Sequence, residues 1–391
     1  METERRHRLV ERLYEVEPGA RKRAEEVRVV RAPGRVNLIG EHTDYNLGFV
    51  MPAAIGLETW IASVPLAEGR VRLTSLEHAE VREFDLDEPG SRRGEWIDYV
   101  AGVAWALAQE DVPLQGAAGV VESTIPLGSG LSSSAALELA AAWTLSRDVP
   151  PPLDPLKLAQ AAQRAETDYV GVRCGLMDQF ASAFGQRGKA LLLDCRSLDH
   201  RPIGLPAGHL LVALDTRSPR RLEASEYNAR RGQCERAVRA LARAHPGLRS
   251  LRDVSQAMLE ELAELVDEET VRRCRHVVLE NERVLGTLAA LEAGDLGAMG
   301  GLMAESHASL RDLYEVSSPD LDALVEIASA VPGVVGARMT GAGFGGCTVN
   351  LVAYEAIDEL RRAVDAQYPV RSGRSAGFHA VEPVAGAGPV R

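Results

Sequence analysis

A glycine- and serine-rich segment, residues 126–136, contains three consecutive hydroxyl side chains, Ser132, Ser133 and Ser134, just before an alanine-rich run. Glycines let the backbone approach a ligand closely, and the free N–H groups at the start of a helix attract phosphate. Hydroxyls at such a position cap the helix, contact phosphate or bind magnesium, which prefers oxygen ligands. A glycine turn followed by ordinary serine caps is the alternative. The spacing alone leaves the two interpretations evenly balanced.

Several common nucleotide and hydrolase motifs are excluded for this segment. Lysine occurs only at Lys22, Lys157 and Lys189, so the segment lacks the phosphate-binding lysine of P-loop proteins. Its spacing is not Gly-x-Ser-x-Gly, which disfavours a hydrolase nucleophile, and the chain has no His-Arg-Asp catalytic loop of the protein-kinase type.

Residues 31–45 hold a second group of functional side chains. Glu41, His42 and Asp44 are crowded between two glycine-containing turns and offer acceptors of the kind that hold sugar hydroxyls, while Arg35 supplies a cation. A solvated polar turn is the alternative interpretation. Four different functional side chains within ten residues make that alternative less favoured.

Asp178 is the only acid in an apolar segment, residues 174–180. An aspartate among such neighbours is expected to be partly buried, to need a partner and to have a shifted pKa. Arg35 is a candidate partner if the two segments meet in the fold. Alternatively, Asp178 simply caps a turn.

A late glycine-rich segment, residues 338–347, formally satisfies Gly-x-Gly-x-x-Gly at Gly341, Gly343 and Gly346. A dinucleotide-binding motif requires a strand, the glycines and then a helix near the start of a large domain. Here a strand-like run follows the glycines and the chain ends at residue 391. We therefore predict a loop that packs against another backbone or a phosphate site.

The elements that must position these groups are strands and helices in two lobes. Short β-rich runs at 27–30, 49–51, 59–63 and 71–74 indicate antiparallel sheet. A buried helix is predicted from Ser132 to Leu145, and Asp154-Pro155 is typical of the start of another that ends near Tyr169. The fold class is α+β, with an N-terminal lobe of residues 1–206 and a C-terminal lobe of residues 207–391.

Composition narrows the cellular setting and the partners. The net charge of −12, with interspersed signs, disfavours nonspecific nucleic-acid binding. No segment has the order of a signal peptide or the length of an apolar membrane span. The five cysteines are widely spaced without a CxxC pair, as expected for reduced cytosolic thiols. We expect a cytoplasmic protein without nucleic-acid or membrane partners, and the sequence does not indicate an oligomeric state.

Taken together, these segments resemble the superfamily of small-molecule kinases named for galactokinase, homoserine kinase, mevalonate kinase and phosphomevalonate kinase. The serine-rich and late glycine-rich segments carry the superfamily resemblance, whereas residues 34–45 resemble the galactokinase signature itself. Further galactokinase-like stretches are residues 177–179, 193–198, 225–234 and 305–319. The resemblance covers residues 8–382.

This resemblance implies a two-lobed fold with its active site between the lobes. The N-terminal lobe would contain a left-handed βαβ element and the C-terminal lobe would be ferredoxin-like. Galactose and ATP would meet in the cleft, where the γ-phosphoryl group passes to O1 of α-D-galactose with Mg²⁺ as the metal.

The resemblance also assigns roles to individual positions. Asp178 matches the residue that accepts the O1 proton, and Arg35 the cation that stabilises the transferring group. Positions that match sugar contacts are Glu41, His42, Thr43, Asp44, Gly175 and Tyr227. Positions that match the nucleotide site are Gly128, Ser129, Gly130, Leu131, Ser132, Ser133 and Ser134, with Trp96 in the adenine pocket. Ser134 and Glu166 match the magnesium ligands.

Two alternative functions remain at this level. One is a related kinase for N-acetylgalactosamine or arabinose, because the signature does not define what surrounds C2 and C6 of the sugar. The other is a noncatalytic galactose and ATP sensor, which the presence of Arg35, Asp178 and Ser132 to Ser134 disfavours. The main departure from the family pattern is Ala342 in the late glycine-rich segment, which is tolerable if its φ is negative.

Overall fold

The computed structural model describes residues 2–67, 69–146, 154–218 and 223–390. The strands are β1 (Arg28–Asn37), β2 (Phe49–Val50), β3 (Pro52–Leu66), β4 (Arg70–Ser75), β5 (Glu80–Asp85), β6 (Gly116–Ser123), β7 (Lys189–Asp194), β8 (His200–Gly204), β9 (His209–Asp215), β10 (Val334–Thr340), β11 (Cys347–Ala353), β12 (Gly377–Val381) and β13 (Gly388–Pro389). The α-helices are α1 (Glu2–Val16), α2 (Ile97–Ala108), α3 (Ser133–Leu145), α4 (Pro155–Arg164), α5 (Met177–Phe184), α6 (Glu223–Leu241), α7 (Gln256–Leu262), α8 (Glu268–Ala293), α9 (Leu296–Asp312), α10 (Pro319–Ser329) and α11 (Ile357–Ser372).

The N-terminal lobe is built on a six-stranded sheet in the order β13-β1-β3-β6-β4-β5. The pairing is antiparallel except for β4 and β6, which are parallel. The antiparallel pairing expected for residues 27–74 is confirmed between β1 and β3. In addition, β4 pairs in parallel with β6, and the chain between these two strands, which includes β5 and α2, provides the crossover that parallel strands require. The first strand is longer than the predicted run at 27–30 and includes Arg35.

Helices α2 to α5 cover the sheet and position the functional loops. The predicted helix beginning near Ser132 is confirmed as α3, whose alanines favour helix formation and allow close packing against α2 and the sheet. Asp154 caps α4 by accepting from the amide of Leu156, also as predicted. The chain then continues into a π-helical turn, residues 165–170, a feature that is frequent at functional sites.

The C-terminal lobe contains a four-stranded antiparallel sheet in the order β10-β11-β9-β12. Helices α6 to α10 lie between β9 and β10 in the chain, and α11 lies between β11 and β12. This connection and strand order are those of a ferredoxin-like fold. The hydrophobic core of the first lobe continues into β9 and β11, so the two lobes share buried apolar side chains.

The two lobes meet near the predicted boundary, since β8 ends at Gly204 and β9 begins at His209. The last residues of the chain return from the C-terminal lobe to the N-terminal lobe. The amide of Val384 donates to the carbonyl of Ala54, and β13 pairs with β1. Residues 383–390 thus pack on the N-terminal lobe, not on the lobe to which the predicted boundary assigned them. Among the helices described, none is long and apolar enough to cross a membrane.

Candidate active site

A cavity of about 420 Å³ lies between the lobes. Most of the side chains singled out in the sequence line it, together with several that were not. Its lining consists of Arg35, Glu41, His42, Asp44, Tyr99, Gly128, Gly130, Ser132, Ser133, Ser134, Glu166, Val172, Cys174, Gly175, Met177, Asp178, Tyr227, Gly341 and Ala342. Among the lining residues that the sequence analysis did not single out, Tyr99 could have been found from the sequence. It follows Trp96 by three residues, and residues at that spacing lie on the same face of a helix.

Arg35 and Asp178 form a two-pronged ion pair in this cavity. Nε of Arg35 donates to Oδ1 of Asp178 at 2.8 Å, and a terminal nitrogen donates to Oδ2 at 2.8 Å. Arg35 is 4% exposed on β1, whereas Asp178, in the first turn of α5, keeps 26% of its side chain accessible. Such fork-shaped pairs are geometrically specific. The structure therefore brings together the two groups that the sequence could only suggest as partners.

The segment at residues 126–134, called the serine loop from here on, surrounds this pair. The other terminal nitrogen of Arg35 donates to the carbonyl of Gly130 at 2.6 Å. Ser132 adopts a left-handed conformation, φ 61°, and its hydroxyl donates to Oδ2 of Asp178 at 2.5 Å instead of capping α3. The interpretation of this serine as an ordinary helix cap is thus wrong, because the strained backbone directs its hydroxyl at the acid.

Two residues of the serine loop that were assigned to the nucleotide site do not line the cavity. The hydroxyl of Ser129 donates to the carbonyl of Pro126 at 2.7 Å, which stabilises the turn. Leu131 is buried in the core, and its carbonyl accepts from the amide of Arg35 at 3.1 Å. Because a Cβ at Gly34 would overlap that carbonyl, glycine is what allows the serine loop to reach β1.

Ser134 and Glu166 lie side by side at the cavity, with the hydroxyl donating to Oε1 at 3.1 Å. The side-chain nitrogen of Gln179 donates to Oε2 of Glu166 at 2.7 Å and holds the carboxylate in place. Burial, and then the nearby charge of Asp178, raise the pKa of Glu166 to about 7. The described residues contain no cluster of three or more His, Cys, Asp or Glu suited to a metal. One hydroxyl and one carboxylate fit Mg²⁺, which usually keeps waters and takes its other ligands from substrate phosphates.

The loop between β1 and β2, residues 38–48, carries the acids expected at the sugar. Glu41 is 1% exposed and accepts four hydrogen bonds, which come from Asn37, Arg338, Thr340 and the amide of Gly341. Burial raises its pKa, although Arg338 opposes this. Three of the four donors belong to the C-terminal lobe, so Glu41 joins the two lobes at the cavity wall.

His42 and Asp44 occupy the same loop in different settings. His42 has φ 65°, and its ring nitrogens contact the Tyr45 hydroxyl at 2.9 Å and the Ala342 carbonyl at 3.3 Å. Burial, and then His276, lower the pKa of His42 to about 3. Burial, and then the charge of Asp178, raise the pKa of Asp44 to about 6.

The remaining sugar positions divide into two that line the cavity and one that does not. Gly175 lies directly against Asp44, and Tyr227 extends from α6. Thr43 is buried away from the cavity and donates to the carbonyls of Gly40 at 2.8 Å and Phe49 at 2.6 Å. Its hydroxyl therefore shapes the loop and is not available as a sugar contact.

Trp96 lines a second, smaller cavity of about 130 Å³ that adjoins the first. Tyr99, Ser133 and Ser134 line both cavities. The ring of Trp96 is nearly parallel to that of His78, with centroids 6.4 Å apart, and its Nε1 is buried without a hydrogen-bond partner. An aromatic wall next to the serine loop suits a planar heterocycle.

The late glycine-rich segment forms the loop between β10 and β11, residues 341–346, called the glycine loop. A Cβ at Gly341 would lie 2.8 Å from the carbonyl of Gly130, and the amide of Phe344 donates to Val316 at 2.7 Å. The prediction that it packs against another backbone is confirmed. Ala342 does not adopt a positive φ, so the departure from glycine there is accommodated.

Family models and known proteins match this architecture along most of the chain. The matching models are the galactokinase galactose-binding signature over residues 20–65 and the N-terminal and C-terminal domains of GHMP kinases over residues 98–186 and 287–370. The galactokinase of Chloroflexus aggregans is 49% identical over 89% of this chain and 90% of its own. That of Roseiflexus sp. is 46% identical over 93% of each chain.

Solved structures give the same result. Lactococcus lactis galactokinase complexed with galactose superposes with a TM-score of 0.89 at 37% identity, covering 94% of this chain and 96% of that one. A mevalonate kinase with a TM-score of 0.64 is only 18% identical and shares the fold alone. Identity of 46–49% over nearly the whole of both chains is specific to one branch of this fold. The chain belongs to the galactokinase family.

Proposed function

We propose that this protein transfers the γ-phosphoryl group of ATP to O1 of α-D-galactose, giving galactose 1-phosphate and ADP. The observation that carries the proposal is the Arg35–Asp178 pair in the lining of the interlobe cavity. ATP-dependent phosphorylation of galactose is the activity of the family to which the chain belongs. The pair supplies the two groups that the reaction needs on the protein side.

Asp178 acts as the proton acceptor for the sugar. O1 forms a bond to the γ-phosphorus, the bond from that phosphorus to the bridging oxygen breaks, and the O1 proton passes to Asp178. Arg35 keeps Asp178 ionised and stabilises the negative charge of the transferring group. Ser132 holds the second oxygen of Asp178, so the acid is fixed before the sugar arrives.

The nucleotide is held by the serine loop and the adjoining cavity. Gly128, Gly130, Ser132 and Ser133 present backbone and hydroxyl groups to the phosphates, and Trp96 packs against the adenine. Ser134 and Glu166 would hold Mg²⁺, which would supply positive charge to the phosphates. Their direct contact and shared access to the main cavity support this assignment.

Galactose occupies the part of the cavity bounded by Glu41, His42, Asp44, Gly175 and Tyr227. Asp44 is buried and lines the cavity, where its carboxylate accepts from sugar hydroxyls. His42 and Tyr227 contribute ring surfaces, 5.5 Å apart between centroids, of the kind that pack on a sugar. Gly175 leaves room for Asp44.

An assay of ADP release across monosaccharides tests the proposal. We expect turnover with galactose and little with glucose, N-acetylgalactosamine or arabinose. Preference for N-acetylgalactosamine or arabinose would assign a related kinase, and sugar and ATP binding without turnover would assign a sensor. We further propose a cytoplasmic location, which the five free cysteines support because reduced thiols are typical there.

A further inference from the structure

A chain of hydrogen bonds runs from the C-terminal lobe to the sugar side of the cavity and back. The hydroxyls of Tyr314 and Tyr45 are 2.7 Å apart, and the Tyr45 hydroxyl is 2.9 Å from Nδ1 of His42. Nε2 of His42 is 3.3 Å from the carbonyl of Ala342 in the glycine loop. Tyr314 follows α9, so both ends of this chain belong to the C-terminal lobe and its middle belongs to the β1–β2 loop.

The carbonyl of Ala342, at the end of this series of hydrogen bonds, determines which group donates in each bond. The carbonyl of Ala342 only accepts, so Nε2 of His42 must carry the proton. In a neutral ring Nδ1 is then bare and accepts from the Tyr45 hydroxyl. The Tyr45 hydroxyl has one proton and donates it to Nδ1 of His42, so the Tyr45 oxygen accepts a hydrogen bond from the Tyr314 hydroxyl. One carbonyl therefore selects a single tautomer of His42 and a single orientation of both tyrosine hydroxyls.

The packing around His42 favours the neutral ring and restricts its rotation. His42 is 4% exposed, and the ring of Tyr314 lies 4.6 Å from it between centroids. On its other face, Tyr314 lies 4.6 Å from His276. The backbone of His42 is held at φ 65°, a conformation that non-glycine residues adopt rarely and that persists where the surroundings determine it.

Both ring nitrogens of His42 already have protein partners, so His42 has no ring nitrogen left for a sugar hydroxyl. It therefore shapes the sugar site by packing and not by a hydrogen bond from the ring. Tyr45 does not line the cavity, and Tyr314 is completely buried, so neither contacts the sugar itself. Both are linked to the sugar site through His42, and the ring of Tyr45 also packs edge-on against that of Tyr227, with centroids 5.4 Å apart.

We propose that Tyr45 and Tyr314 are positioning residues that, together with the carbonyl of Ala342, hold His42 as the neutral Nε2–H tautomer and thereby fix the wall of the sugar site. The effect on the sugar site rests on the proposed galactose kinase activity, whereas the tautomer of His42 does not depend on any substrate. The two parts are therefore measured separately.

The tautomer is tested by NMR of the parent protein labelled with ¹⁵N-histidine, without sugar or nucleotide. His42 is assigned by the resonance that disappears in His42→Gln. We expect one protonated nitrogen, Nε2, and a bare Nδ1 at neutral pH. In Tyr45→Phe we expect the Nδ1 resonance to shift, because Nδ1 loses its hydrogen-bond donor while the Ala342 carbonyl still favours a proton on Nε2. A proton on Nδ1 in the parent, or an unchanged spectrum in Tyr45→Phe, would overturn the proposal.

Kinetics of two matched variants test the effect on the sugar. Tyr45→Phe leaves Nδ1 without a donor, and one lost hydrogen bond corresponds to about a fivefold rise in the KM for galactose, with kcat within about twofold and the KM for ATP unchanged. Tyr314→Phe leaves the Tyr45 donation intact, so its effect should be smaller. Tyr368→Phe is the control, because the Tyr368 hydroxyl is also buried and donates to the carbonyl of Thr216 at 2.9 Å, away from the cavity lining.

The outcomes separate the proposal from the proposed activity. The graded rise in KM, largest for Tyr45→Phe and absent for Tyr368→Phe, supports it. Equal effects of all three variants, or a loss confined to kcat, would show a general structural role and overturn it. A parent enzyme that does not phosphorylate galactose would overturn the proposed function, while the NMR result would still decide whether the tautomer is held.

Discussion

Gly175 lies so close to Asp44 that a Cβ at residue 175 would overlap the carboxylate of Asp44. Asp44 is itself buried, so its carboxylate has little room to move aside. The glycine precedes α5, which carries Asp178, and the acid belongs to the β1–β2 loop. The absence of a side chain at Gly175 thus lets Asp44, the proposed sugar-binding acid, share the cavity wall with the start of α5, which carries the proposed base Asp178.

Gly175→Ala should displace Asp44 and raise the KM for galactose by roughly tenfold or more, since overpacking at a close contact typically costs about 1–3 kcal/mol. The KM for ATP should change little. Gly301→Ala is the control, because nothing lies within 4 Å of its added methyl group in α9. Steady-state kinetics with each substrate varied in turn make the comparison, and an unchanged galactose KM in Gly175→Ala would contradict it.

Asp178→Asn should remove the proton acceptor and lower kcat by about 100-fold or more, the usual contribution of a general base. Arg35 and Ser132 still have a hydrogen-bonding partner in the asparagine, so calorimetry should find galactose binding largely preserved. Ser132→Ala should have a smaller effect on kcat, because it removes one support of Asp178 and leaves both bonds from Arg35. Near-normal turnover in Asp178→Asn would mean that another group accepts the proton.

Asp44 should distinguish galactose from glucose, which differ in the orientation of the hydroxyl at C4. The wrong epimer would leave this buried carboxylate without a donor, and sites built on hydrogen bonds strongly reject such ligands. Asp44→Ala should therefore lower kcat/KM for galactose far more than for glucose. If the ratio of the two specificity constants stays the same, C4 is recognised elsewhere.

The raised pKa of Asp44, about 6, predicts the acid limb of the pH profile. The carboxyl group is ionised above this pKa and loses acceptor capacity below it. At saturating magnesium and ATP, kcat/KM for galactose should fall as the pH decreases through about 6. The asparagine in Asp44→Asn does not titrate, so this variant should have a lower kcat/KM for galactose that does not fall further as the pH decreases through about 6. A limb that persists in Asp44→Asn would assign it to another group.

Ser134→Ala and Glu166→Gln should each weaken the use of magnesium, because each deletes an oxygen ligand or a charge at the metal. The activation constant for Mg²⁺ should rise, and binding of Mn²⁺ with ADP, followed by electron paramagnetic resonance, should weaken in parallel. Ser129→Ala is the control within the serine loop, since its hydroxyl donates to Pro126 away from the cavity. Variants that match the parent in both measurements would remove Ser134 and Glu166 from the metal site.

Local features of this protein were accessible from its sequence. The start of α3 and the cap of α4 by Asp154 depend on residues close together in the chain. Their physical causes, capping and helix propensity, act over a few residues and leave a readable pattern. The resemblance to a kinase superfamily rested on the same short segments.

Only the tertiary structure decided which distant residues meet and what each side chain does there. Arg35 and Asp178 are 143 positions apart, and Glu41 and Gly341 are 300 apart. Ser132, Ser129 and Thr43 each carry a hydroxyl group, yet that of Ser132 contacts Asp178 and the other two stabilise turns. Such contacts depend on how strands pair and helices pack, including the parallel pairing of β4 with β6, and no short-range pattern records them. Burial, which sets the pKa of Asp44 and of His42, is likewise a property of the assembled cavity and not of either residue's neighbours in sequence.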